Sequence, residues 1–200
     1  MISTTGKDVK FLVLPTELVR RLNELALRQG VSVSTYAVNA LEQALRGESL
    51  GASPEEAVDT HMLLSVQLGA GAVQIPRSSL DTLIRDISPE HREELKGSWF
   101  NAGRWYGAYL QAKLGNGDCL DFLEKALLVS WNLDEVEVRA NEVEAELRFS
   151  SFVMSLELTE LLINYISGVM SSLGYQILDN EFLRGLATLH YRKKLGTPVY

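Results

Sequence analysis

Residues 8–46 read DVKFLVLPTELVRRLNELALRQGVSVSTYAVNALEQALR. Val9 to Leu14 is a β-prone apolar run. Pro15 stops it, because proline has no N–H to donate to a strand ladder. Leu18, Leu22, Leu25 and Ala26 then recur at helical spacing, with Arg20, Arg21, Glu24 and Arg28 on the other side. Gly30 stands where a helix end favours positive φ. Ser32 is an N-cap candidate, with Ser34 and Thr35 in the turn that follows. Ala37, Ala40, Leu41, Ala44 and Leu45 form the apolar stripe of a second helix. One strand and two short helices bury too little to stand alone, and a lone strand has no partner. The segment therefore predicts two chains that pair their strands and share one core.

This order of strand, helix, glycine break, capped start and helix resembles the ribbon-helix-helix family of DNA-binding dimers. The likeness covers the first quarter of the chain. It implies double-stranded DNA as a partner, with the paired strands in the major groove. It also implies a DNA phosphate held by backbone N–H groups at Ser32, Val33 and Ser34, where the helix dipole favours an anion. Counted back from Pro15, Val13, Phe11 and Val9 take the outward, groove-facing parity. Leu14, Leu12 and Lys10 point inward, although the lysine stem is long enough to reach out. Lys7 and Lys10 would supply charge to the backbone. An apolar outward face makes no bidentate hydrogen bonds to base edges. It touches thymine methyls or it packs against protein, and both readings stay open.

The chain of 200 residues carries a net charge of −7, which argues against general nucleic-acid affinity. Residues 1–47 hold six Lys and Arg against four Asp and Glu, a local +2 that leaves −9 for the rest. Arg20, Arg21 and Arg28 are equally an ordinary solvated helix face. No run of eighteen uncharged apolar residues occurs, and the start has no signal-peptide pattern. The single cysteine, Cys119, excludes an internal disulfide framework. A cytoplasmic homodimer with no membrane partner is the expectation.

Gly47 to Asp59 breaks the helical periodicity with small residues, and Ser53-Pro54-Glu55 reads as a fresh helix start. The expected organisation is residues 1–47 as the ribbon-helix-helix domain, 48–59 as a connector and 60–200 as a second domain, α+β throughout. In the second domain Met62–Leu68 and Ala72–Ile75 read as strands around a Gly69-Ala70-Gly71 turn. Arg77–Ile87 reads as a helix. A longer helix opens at Ser88-Pro89-Glu90 and reaches Leu114. Gly115 to Asp118 breaks the chain ahead of a helix from Cys119 to Ser130. Glu135–Arg139 and Glu142–Phe149 form a hairpin about Ala140-Asn141. Ser155–Leu173 is an apolar helix ended by Gly174, and a last strand lies near Ala187–Arg192.

The stretches AVQIPRSSLDTLIRDI (72–87), FNAGRWYGAYLQAKLG (100–115), DCLDFLEKALLVSWNLDEVEVRANEVEAELRFSSF (118–152), ISGVMSSLGYQ (166–176) and EFLRGLATLHYRKK (181–194) carry a second likeness. Their layout resembles the 4-vinyl reductase domain family and the small subunits of TRAPP vesicle-tethering complexes. The shared features are Gly103 and Gly107 in one helix, Trp131 ahead of a hairpin, and the Gly168 helix before the closing strand. The resemblance implies binding of a small apolar ligand or of other protein subunits. Family members often carry cysteines near the closing strand; this chain has none there.

No catalytic constellation is present in the sequence, so the chain is not expected to be an enzyme. His61, His91 and His190 have no partner at metal-ligand spacing, and no cofactor or metal is expected. Cys119 opens a helix, where a thiol's pKa falls, yet a lone cysteine is commonly a small buried apolar group. The alternating carboxylates of Glu135 to Glu146 read as the wet side of a hairpin. Trp99, Phe100, Trp105 and Tyr106, with Cys119 and Trp131, are the candidate ligand-pocket residues. Core packing competes with that reading. Two functions follow: a dimeric transcription regulator with a ligand-sensing second domain, or a scaffold that uses both domains for protein contacts.

Overall fold

A computed structural model describes residues 11–114 and 119–194. The expectations placed on Lys7, Val9 and Lys10, and on the break at Gly115–Asp118, lie outside those residues. The chain divides into two compact units, Met1–Thr60 and His61–Tyr200. Among the described residues the elements are α-helical and antiparallel β, an α+β fold.

The first unit holds α1 (Thr16–Gln29) and α2 (Val33–Ser49). α1 ends at Gly30, whose φ of 68° is the left-handed conformation glycine tolerates, with its N–H returned to the Leu27 carbonyl. Ser32 caps α2, its Oγ accepting the Thr35 N–H at 3.1 Å. Packing of α1 on α2 buries only Ala26 completely. Phe11 to Leu14, the described part of the predicted strand, lie in no ladder. The physical reason is the one that predicted a dimer, since an isolated extended segment has nothing to pair with.

α3 (Pro54–Gly69) begins with a capping box. Glu56 N–H donates to Ser53 Oγ at 3.2 Å, and the Glu56 carboxylate accepts the Ser53 N–H at 2.7 Å. The expected strand Met62–Leu68 is therefore corrected to helix. Its LSVQL alternation resembles a strand, but the capped start propagates through it, and Leu63 and Val66 fall on one buried stripe. Gly71, at φ 76°, and Ala72 close the end of α3 by donating to the Leu68 and Gln67 carbonyls. The expected second strand, Ala72–Ile75, has no regular structure.

The remaining elements are α4 (Arg77–Arg85), α5 (Pro89–Leu114), α6 (Cys119–Ser130), β1 (Glu135–Ala140), β2 (Glu144–Ser150), α7 (Leu156–Ser172), β3 (Tyr175–Leu183) and β4 (Leu186–Lys193). The four strands pair antiparallel in the order β1-β2-β4-β3. Two hairpins are thus joined through β2 and β4. Asn141 turns the first, its Oδ1 accepting the Val143 and Glu144 N–H groups at 2.9 and 2.7 Å.

α7 lies between the sheet and α5, while α6 leans on β1. Leu147, Leu162, Ile166, Val169, Met170 and Leu189 are at the centre of the core. β3 went unpredicted. Asp179 and Asn180, residues disfavoured in strands, sit just after an irregularity between Ile177 and Asp179. Among the described residues no helix is long and apolar enough to cross a membrane.

Candidate functional site

In the first unit the candidate nucleic-acid interface has two parts. Phe11 is fully exposed and Val13 is 94% exposed, so the outward-parity side chains meet solvent in this single chain. Leu12, assigned inward, is also exposed, and Leu14 is half-buried. The second part is the start of α2. Ser32 and Ser34 are exposed and Val33 is half-buried. The Ser32 cap leaves the helix start facing outward with no acidic side chain in its first turn, which suits an anion at its positive end. Arg20 lies on the exposed side of α1 among its own carboxylates. It pairs with Glu17 at 2.5 Å and with Glu24, and both carboxylates hold its guanidinium charged.

In the second unit the structure brings together part of the predicted aromatic group. Trp99 and Trp131 lie 5.3 Å apart between ring centroids. Tyr165, which nothing in the sequence of its apolar helix singles out, joins them. It is 5.7 Å from Trp131 and 6.0 Å from Tyr106. The row Trp99, Trp131, Tyr165, Tyr106 thus runs through α5, the residue after α6, and α7. Trp105 is not part of it; it is 54% exposed and stacks on Tyr109 at 5.6 Å. Phe100 is half-buried, and its backbone carbonyl meets α7 at Gly168. Cys119, the first residue of α6, is buried in the core.

Of the row only Tyr106 is fully buried; Trp99, Trp131 and Tyr165 are half-buried against the core. Burial, with a smaller contribution from Tyr109, pushes the Tyr106 phenol up to about 12. Burial likewise raises Tyr165, Tyr106 adding to it, so both stay protonated in ordinary conditions. The Tyr106 hydroxyl is buried and has no hydrogen-bond partner among the described residues. A buried O–H with nothing to donate to costs about 1–3 kcal/mol. An acceptor placed against it would satisfy it.

The sheet face away from the helices carries solvated ion pairs, Arg192–Glu144 at 3.0 Å, Arg148–Glu146 at 2.7 Å and Arg139–Glu137 at 2.6 Å. A shallow open recess crosses it between Arg139, Glu146, Asp179 and His190. Among the described residues no three His, Cys, Asp or Glu side chains converge as a metal site.

No protein-family model and no curated protein matches the chain. Among solved structures it is partly similar to one described under the heading of modulating heme redox potential through protein-induced porphyrin distortion. That overlap has a TM-score of 0.38 and 10% identity, covering 66% of this chain and 87% of the other. It is similar to the same degree to a mutant of the T. tengcongensis H-NOX, at TM-score 0.37 and 12% identity, over 68% of this chain and 87% of that one. Overlaps this loose carry no argument about function.

Proposed function

We propose that the protein is a dimeric DNA-binding transcription regulator whose second unit senses a small apolar ligand. The observation that carries this reading is the incompleteness of the first unit. α1 and α2 fully bury Ala26 alone, while Leu25, Leu41 and Leu45 are 40, 55 and 70% exposed and Phe11–Leu14 has no ladder partner. A second copy supplies both needs at once, as the ribbon-helix-helix resemblance implies. The capped, outward start of α2 at Ser32, Val33 and Ser34 then takes a phosphate, and Lys7 and Lys10 add charge. In the second unit the orphaned Tyr106 hydroxyl within an aromatic row favours an apolar ligand bearing one acceptor.

A second reading has its own observation. Exposed apolar side chains at Phe11 and Val13 suit a protein-facing surface, and hence a scaffold that does not bind DNA. Titration of labelled DNA from the region upstream of the protein's own gene, across a series of salt concentrations, separates the two. Binding by a regulator weakens linearly in log salt. Lys7→Ala lowers that slope by about 0.9 for every sequence tried. Phe11→Ala changes sequence preference if its face enters the groove. No binding at low salt ends the regulator reading and leaves the scaffold.

A further inference from the structure

α3 has two unlike faces. One buries Leu63 and Val66. The other presents Ala57, His61, Leu64 and Leu68, all exposed, Leu64 at 42% and Leu68 at 63%. Their 4-3-4 spacing is that of a helix-pairing seam. The surroundings are equally unusual for a wetted helix. From Thr60 to Pro76 there is no Asp, Glu, Lys or Arg, in a chain that is 22% charged. Apolar surface depleted of charge is the composition of an interface centre.

We propose that α3 packs antiparallel against α3 of a second copy of the chain, extending the dimer beyond the ribbon-helix-helix segment. This rests on the dimer reading above. Only Leu50–Ser53 separate the end of α2 from the start of α3. Two first units held together therefore keep two copies of α3 at high effective concentration. Charge fixes the direction. The acids of α3, Glu55, Glu56 and Asp59, all lie in its N-terminal half. A parallel pair would set them side by side with aligned dipoles, whereas an antiparallel pair sends them to opposite ends. The antiparallel register also sets small against large, Ala57 facing Leu68 of the second copy, and His61 facing its Leu64. One helix pair falls short of the roughly 800 Å² per partner of a stable interface, so it adds to the first-unit dimer and does not replace it.

The test uses the full chain. His61→Cys and Leu64→Cys chains carrying different tags are co-expressed and oxidised; native Cys119, 3% exposed, stays out of reach. A disulfide dimer bearing both tags is expected, with none when Leu83→Cys, on exposed α4 surface, replaces His61→Cys. Leu64→Asp with Leu68→Asp should raise the dimer dissociation constant about tenfold in sedimentation. A wild-type dimer without the mixed disulfide overturns the α3 pairing and leaves the dimer reading intact. A wild-type monomer at tens of micromolar overturns both. Co-sedimentation of wild type with phosphatidylcholine vesicles, abolished by the double Asp variant, assigns the face to lipid and overturns the proposal.

Discussion

The phenol of Tyr106 shows how one buried group couples the aromatic row to pH. Its folded pKa of about 12 lies above the ordinary value near 10, because burial disfavours the phenolate. Tyr165 and Tyr191 are shifted the same way, again mainly by burial. The folded chain thus holds these protons more tightly than the unfolded chain. The stability they contribute is complete below pH 10 and is lost as pH rises from there through the folded values. Tyr106 alone accounts for roughly 1 kcal/mol of loss by pH 11. Tyr106→Phe cannot ionise, and it removes the unpartnered hydroxyl. Its urea midpoint at pH 8 should equal or exceed that of wild type, and should fall less between pH 9 and 11. A lower midpoint at pH 8 would show that the hydroxyl has a partner. Trp99, Tyr106 and Trp131 were legible in the sequence because large aromatics declare themselves. Tyr165 was not, since nothing in LLINYISG marks one side chain as facing α5.

The crossing of α5 and α7 is where element geometry depends on single residues. A Cβ added at Gly168 would stand 2.0 Å from the Phe100 carbonyl oxygen and 2.8 Å from the Arg104 nitrogen, and one at Gly103 2.0 Å from the Tyr165 carbonyl oxygen. All three are backbone atoms, so the helices must separate to admit a methyl group. Gly168→Ala should therefore cost about 1–3 kcal/mol despite alanine's better helix propensity. Gly97 on the same α5 has nothing within 4 Å, so Gly97→Ala should stabilise by roughly 0.5–1 kcal/mol. Opposite signs for the two variants in thermal or chemical unfolding would establish the close approach; equal signs would refute it. The Gly103, Gly107 and Gly168 positions stood out in the sequence, as did α5, α6, α7 and the first hairpin, because caps and periodicity agreed there. The start of the second unit is read as strand where α3 stands, and β3 has no counterpart in the sequence reading, because local pattern and context conflict in both. LSVQL alternates like a strand inside a capped helix, and Asp179 and Asn180, residues disfavoured in strands, sit just after an irregularity in β3.

At the scale of the whole molecule the two units differ in self-sufficiency. Among the described residues the first has Ala26 as its single buried apolar residue, whereas the second collects its buried residues, from Leu63 to Tyr191, into one core. That core is closed by internal links of long sequence span. Thr159, fully buried, accepts the Gly185 N–H at 2.9 Å and donates to the Ser155 carbonyl, tying α7 to the β3–β4 turn. Ser155 in turn donates to Asp81 of α4 at 2.7 Å. None of these partners lies in the first unit. A chain lacking its first 50 residues keeps the Ser53 cap and all of α3, and should remain soluble and melt in one cooperative transition. Apolar burial of this extent also predicts a positive heat-capacity change of unfolding, on the order of 2 kcal/mol/K for a unit of this size. The complementary piece, residues 1–50, should show concentration-dependent helicity by circular dichroism, since its apolar faces are covered only on association. Calorimetry on the longer piece decides the matter. A sharp endotherm establishes the second unit as an independent fold. Aggregation without one means that its core is completed by residues the truncation removed.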